Sequence, residues 1–452
     1  MRGSTKSFLA VIAVGALALT GCSAEGGDGA DANTLRIIYQ KAGDVSPLDT
    51  LMQTTKEQFE AANEGVTVEL EPVEGTDEDY NTRLALSQRS PDTAPDVFYE
   101  DTFRLRSDVD AGYLLPLDEY LSGWEDWSSF NDAAKEAGKA DDGGTYAVPL
   151  GTDTRVIWYN KTVLEEAGVE VPWAPETWED ILEMARSVKD SQPDSVPFSM
   201  YAGTGTGEGT VMQSFYELLY GTGSGGLYDE EQQKWIAASQ GFVDSLTFLQ
   251  TLYQEELAVT PAEALDPNVW QTVVGTLLPE NSMGGTVEGS YAPSFWQEGG
   301  QFEWAEYGEV MGVAPFPTQN GQEPGAVSMS GGWTLAVGAG TENPDLAFEF
   351  LTMAMGQENL LEYTVDNSQI AVRTDIAEDP SYLEANPFIE DVSAVLDVTN
   401  YRPATAEYAE ISTAVQEATE AVIAGDTSPA DAAATYDDTL RSIVGDENVV
   451  EE

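Results

Sequence analysis

The chain has 452 residues, of which 80 are acidic and 19 basic, for a formal net charge of −61, and it contains no histidine and a single cysteine. That inventory excludes Ser-His-Asp triads, histidine-ligated zinc and internal disulfides, and so acidic a surface repels nucleic acid and anionic lipid, so no nucleic-acid partner is expected. A hydrophobic content of 42% with 10% aromatics argues for a folded chain rather than a disordered one, and the excess acid reads as a solvated coat.

The first 21 residues read as an export signal. Arg2 and Lys6 precede an apolar run from Phe8 to Leu19 that is too short to span a bilayer, which takes about 20 residues. The run ends in Leu19-Thr20-Gly21-Cys22, a bacterial lipobox pattern in which the thiol of Cys22 would accept a lipid. Residues 22–32, rich in Gly, Ala and Asp, form a flexible tether. The 431 residues from Cys22 onward exceed one ordinary core and imply two lobes.

Next comes an alternation of strands and helices. Leu35–Tyr39 reads as a strand. Ser46-Pro47-Leu48-Asp49 starts a helix with Leu48, Leu51, Met52, Thr55 and Phe59 on one face. Val66, Val68 and Leu70 mark a second strand, 78–87 a helix and Asp96–Tyr99 a third strand. The pattern predicts parallel βαβ units, whose ligands lie beyond the carboxyl ends of the strands. Lys41, Asp44, Glu100 and Asp101 occupy those ends and are candidate ligand contacts.

The most informative stretch is 144–189. Tyr146, Val148 and Leu150 alternate as a strand, and Pro149 confines it to an edge or an end. Asp153 follows in a polar turn, then Val156-Ile157-Trp158-Tyr159. Asn160 is placed to cap a short helix ending at Gly168, and Thr177 to cap a longer one with Trp178, Ile181, Leu182, Ala185 and Val188 inward. This order (proline strand, acidic residue, aromatic-Tyr-Asn-Lys run, Ala-Gly, Pro-x-Thr-Trp) resembles the middle motif of the family 1 extracellular solute-binding proteins. These are the maltose-binding-protein-like receptors of ABC importers.

Beyond it, Pro197–Met200 leads to Tyr201, and the glycine-rich loop 203–209 matches no phosphate-binding fingerprint, so it reads as a cleft-lining or mobile loop. Residues 211–220 and 240–255 have helical periodicity. Asn343-Pro344 opens a helix with Leu346, Ala347, Phe350, Leu351 and Ala354 inward. Two further helical stripes close the chain, the second begun by Ser428-Pro429.

The resemblance implies an α/β, two-lobed periplasmic-binding-protein-like (type II) fold with three hinge crossings, near Leu150–Asp153, Val313–Pro317 and Val372–Arg373. The lobes would comprise 33–150 plus 315–372, and 151–314 plus 373–452. It implies a monomeric, extracytoplasmic lipoprotein anchored through Cys22. Such a protein captures a sugar and hands it to ABC permease subunits, with no cofactor, metal or catalytic residue. Asp153 would accept sugar hydroxyls, Tyr291 and Trp333 would cover apolar faces of the ring, and Gly332, Tyr201 and Arg402 would line the same cleft. The chain departs from the family in having Trp158 before the Tyr-Asn-Lys run and Tyr291 where a Trp is common. A carboxylate-dependent glycoside hydrolase is the alternative, since two carboxylates suffice for that chemistry.

Overall fold

A computed structural model describes residues 33–41, 43, 46–75, 77–140 and 142–452. The leader, the tether, Cys22 and Asp44 lie outside the described residues.

The first lobe is built on β1 (Thr34–Lys41), β2 (Thr67–Glu74), β3 (Val97–Asp101) and β4 (Ala147–Thr152). β1 pairs in parallel with both β2 and β3, as the strand–helix alternation predicts. Helix α1 (Pro47–Ala62) covers the sheet; Ser46 caps it through the Asp49 N–H, and the buried residues are the five expected. The third strand extends two residues beyond its expected end, which brings Glu100 and Asp101 into the sheet.

Past β4 the chain crosses at Asp153-Thr154 into β5 (Arg155–Asn160), the centre of a second sheet. It is flanked by β6 (Gly285–Gly289) and β7 (Met311–Ala314), both antiparallel to it. Helix α2 (Trp178–Ser191) begins with a complete capping box between Thr177 and Asp180, and Asn160 caps the shorter helix before it. α3 (Gln240–Gln254) packs in the same lobe.

Two crossings fall later than the sequence suggests. β8 (Phe316–Pro317) and β9 (Ala326–Met329) stay with the second lobe: the Trp178 N–H donates to the Gln319 carbonyl, and the Arg155 N–H to Ser328 Oγ. The chain returns only at Ser330-Gly331, entering β10 (Gly332–Val337), which fits antiparallel between β3 and β4. The five-stranded order is thus β2-β1-β3-β10-β4, with Pro149 on an edge strand. The other displaced crossing follows α4 (Pro344–Ala354) and α5 (Gln357–Asp366), which pack on α1. Asn343 precedes α4 without a side-chain cap. Val372 and Arg373 remain in the first lobe, where Arg373 bridges Phe130 and pairs with Asp126. The passage to the second lobe comes near Phe388, whose ring meets Trp158 edge-on at 5.1 Å. β11 (Thr399–Asn400) then pairs with β9, and α6 (Tyr408–Ile423) and α7 (Pro429–Val444) complete the second lobe against α3.

The expected helix at 211–220 is broken. Residues Val211–Phe215 form a π-turn in which Gln213 leaves helical geometry (φ −101°, ψ 18°). A π-turn re-aims side chains within a helix, and here Gln213 donates to Tyr291 and Glu288.

Candidate functional site

The site lies where the carboxyl ends of β1 and β3 meet the crossings. Register puts Trp333 directly opposite Asp101 on one side and Gly151 on the other. Trp333 stacks on Tyr99 with centroids 4.1 Å apart and planes 3° from parallel, and Tyr80 meets its edge at 6.0 Å. Tyr80 is fixed by a 2.5 Å hydrogen bond to the Tyr99 carbonyl. One indole face is therefore backed by Tyr99 and one edge by Tyr80, while the residue itself is half-buried. Gly332 has φ of +155°, and a Cβ there would sit 3.0 Å from the Gly151 carbonyl oxygen. Glycine is needed at this position for close strand approach.

Asp153 sits at the first crossing and ties it to the second. Its Oδ1 accepts from the Gly331 N–H at 2.7 Å and from the Arg155 guanidinium, and its carbonyl accepts from Ser330 Oγ at 2.6 Å. Asp153 and Arg155 are only 7% and 6% exposed. Burial works against the charge on Arg155, but the acidic side chains around it, Asp153 first, outweigh that and keep the guanidinium ionised. Arg155 also lies 5.7 Å from the centroid of Tyr291, close enough for a cation–π contact.

The second-lobe wall is a hydrogen-bonded set around Glu288 at the end of β6. Its carboxylate accepts from the hydroxyl of Tyr201 at 2.8 Å, Gln213 at 3.2 Å, Tyr291 at 3.3 Å and its neighbour's Gly289 N–H at 2.9 Å. Burial, then the charge on Glu288, push the hydroxyl pKa of Tyr201 and Tyr291 well up, so both remain neutral donors.

Arg402 reaches from the second lobe to the first. Its Nη2 lies 2.9 Å from Asp101 Oδ1, its Nη1 lies 3.4 Å from Glu208 Oε1, and its guanidinium sits 4.4 Å over the Phe103 ring. A Cβ at Gly331 would lie 3.6 Å from Asp153 Oδ1 and 3.7 Å from Arg402 Nη2, so the two groups share one neighbourhood. Burial raises the Asp101 carboxyl to about 6 although Arg402 pulls the other way.

Six of the expected residues thus converge: Asp101, Asp153, Tyr291, Gly332, Trp333 and Arg402. Tyr201 stands behind Tyr291 and is 5% exposed. Two others are engaged within the first lobe. Glu100 alternates to the opposite face of β3 and is wholly buried; burial first, then Asp108, push its carboxyl well above the usual range. Lys41 pairs with Asp49 at 3.3 Å, at the start of α1. Sequence reasoning missed Arg155, Gln213, Glu288 and Glu208. Arg155 and Glu288 stand in apolar strands, where a charge demands a partner, and that signal was available. Gln213 depends on the π-turn, which the helical pattern conceals.

Among the described residues no cluster of metal-ligating side chains occurs, and no helix is long and apolar enough to cross a membrane.

The chain is 26% identical over 310 residues to a probable ABC transporter-binding protein of Deinococcus radiodurans, covering 67% of this chain and 70% of that one. It is 26% identical over 346 residues to the diacetylchitobiose binding protein DasA of Streptomyces coelicolor, covering 74% and 72%. The fold matches the GacH receptor of Streptomyces glaucescens, a structure described unliganded and with acarbose, at a TM-score of 0.74 and 24% identity, over 91% of this chain and 98% of that one. The family described as bacterial extracellular solute-binding protein matches residues 42–360, and the chain belongs to that family.

Proposed function

We propose that the protein is the sugar receptor of an ABC importer, taking a di- or oligosaccharide between its lobes and delivering it to membrane permease subunits. The observation that carries this reading is Trp333, an indole backed on one face by Tyr99 and set in register beside Asp101. A sugar offers an apolar C–H face to an aromatic ring and hydroxyls to carboxylates, and this pairing of surfaces suits both. Tyr291 with Glu288 and Gln213 supplies a second aromatic and polar wall from the other lobe. A relative named for diacetylchitobiose binding and a structural neighbour described in complex with acarbose support a saccharide ligand.

In this reading the lobes are those organised by the two sheets, and the protein works as a monomer without cofactor. It is held at the outer face of the cell membrane by a lipid on Cys22, after removal of residues 1–21. It binds and releases its ligand unchanged and has no catalytic role. Ligand that touches both lobes binds the closed form better and shifts the population toward it.

The test is a thermal-shift screen against neutral oligosaccharides, followed by calorimetric titration of the hit and recovery of the sugar. Micromolar binding, about 8 kcal/mol, with intact sugar supports a receptor. Cleaved sugar would establish the hydrolase instead, and no binding across the panel would remove the saccharide reading. Labelled-palmitate incorporation into the parent but not Cys22→Ser tests the anchor.

A further inference from the structure

The glycine-rich loop at 203–209 is not loose. The Gly203 N–H donates to Thr419 Oγ1 at 2.8 Å, and Thr204 donates twice to the Glu420 carboxylate, so the loop is strapped to α6. Its one charged residue, Glu208, is held by two hydroxyls from the first turns of the same helix, Tyr408 and Ser412, each at 2.5 Å. Ser412 is itself oriented by Gln416 at 3.1 Å. This much anchoring of a single carboxylate fixes its position before any ligand arrives.

What Glu208 holds is Arg402, and Arg402 spans the cleft. On the second-lobe side the guanidinium has Glu208; on the first-lobe side it has Asp101, at the end of β3, and the face of Phe103 just beyond. The side chains of Arg402 and Asp101 are 8% and 7% exposed, so the pair is shielded from solvent where the lobes meet. Phe103 and Tyr408 meet beside it, centroids 5.7 Å apart, also from opposite lobes. A guanidinium presents a fork of five donors and can serve two carboxylates at once.

We infer that Asp101, Arg402 and Glu208 form an interlobe bridge that holds the cleft closed, with Glu208 as the positioning residue that keeps Arg402 aimed at the first lobe. The inference rests on the receptor reading only for its effect on sugar affinity. Arg402 then acts on ligand chiefly through closure: a receptor whose competent, closed form is less populated shows an affinity reduced by that fraction. Opening separates Arg402 from Asp101 and Phe103 but leaves it with Glu208, so the charge is never stranded.

The experiment is small-angle scattering of the unliganded parent, Arg402→Met, Asp101→Asn and Glu208→Gln, each checked for folding by its melting transition, with calorimetric titration of the saccharide found in the screen. All three variants should show a larger unliganded radius of gyration than the parent. Saturating sugar should return each toward the parent's liganded value, with affinity lowered by about tenfold for a tenfold loss of closed population. Glu208→Gln, at a residue whose side chain among the described residues has its hydrogen bonds only to Arg402, Tyr408 and Ser412 of the second lobe, is the decisive variant and guards against misfolding of Arg402→Met. An unchanged unliganded radius in the folded variants overturns the bridge, as does weaker binding without any change in radius, which would make Arg402 a direct ligand contact. Tighter binding also overturns it, since Arg402 would then be an obstacle in the cleft. Absence of any sugar binding by the parent would count against the receptor reading alone, because the unliganded radii still report on the bridge.

Discussion

Trp333 lies flat on Tyr99, and the two residues, 234 positions apart in the chain, form one aromatic slab at the end of the first sheet. Tyr99 is 6% exposed and Tyr80, against the indole edge, is wholly buried, so the slab cannot tilt without disturbing the core. Rigid aromatic anchors of this kind often carry about 2 kcal/mol of binding. Trp333→Ala should therefore weaken sugar binding on the order of 30-fold, read by calorimetry. It should also cost about 1 kcal/mol of stability through the lost stacking. Trp333→Phe, which retains a ring over Tyr99, should recover most of both.

Asp153→Asn should do more than weaken ligand binding. From the sequence alone the residue looks like a free cleft carboxylate whose loss leaves folding intact. The structure gives it two internal duties, to Arg155 and to the Gly331 N–H, at the point where two crossings touch. Removing one partner of a buried pair leaves an uncompensated charge and costs about 3 kcal/mol or more. A lower melting temperature alongside weaker binding is expected; an unchanged melt would show that Arg155 is neutralised by Glu288 instead.

The sequence is legible wherever a local rule decides the outcome. The capping box at Thr177, the N-caps at Ser46, Asn160 and Ser428, and the edge position of Pro149 all follow from groups within a few residues of one another. The polar turn at Asp153 between two apolar strands follows from a local rule as well, and the resemblance is what makes it a crossing. The second crossing was not legible, because apolar β8 and β9 could join either sheet, and only packing against Arg155, Trp178 and Gly221 assigns them. In the site, Asp101 and Glu100 had equal claims by sequence. Strand alternation separates them once the register with Trp333 is known.

Arg373 provides a control on the third crossing. Its guanidinium is 2% exposed, paired with Asp375 at 2.9 and 2.7 Å and with Asp126 at 3.0 Å, and it donates to the Met355 carbonyl at 2.9 Å. Every partner belongs to the first lobe. Arg373→Met should destabilise by about 2–3 kcal/mol, because a buried carbonyl and two carboxylates lose their donor. Sugar affinity and the radius of gyration should stay within error of the parent. A shift in either would place Arg373 in the hinge after all.

Glu217 gives a pH signature to the second lobe. It is wholly buried, neither carboxylate oxygen has a hydrogen-bond partner among the described residues, and burial raises its pKa to about 8, with Arg155 pulling down and Glu288 adding to the rise. Its ordinary value is 4.5. Between these two values the folded protein holds a proton that the unfolded chain has released. Stability must then fall as pH rises, by about 1.4 kcal/mol per pH unit for one whole proton. The contribution is complete below pH 4.5 and gone above about 8. Glu217→Gln removes the titration while keeping the shape. The amide is also poorly partnered and costs about 1–3 kcal/mol at every pH, so the slope and not the absolute stability is the measurement. Urea unfolding at several pH values from 5 to 8 should show the stability difference between parent and variant changing steadily in favour of the variant. A difference that stays constant with pH would mean that Arg155 keeps Glu217 ionised throughout, and the buried carboxylate would then be one half of an ion pair rather than a neutral acid.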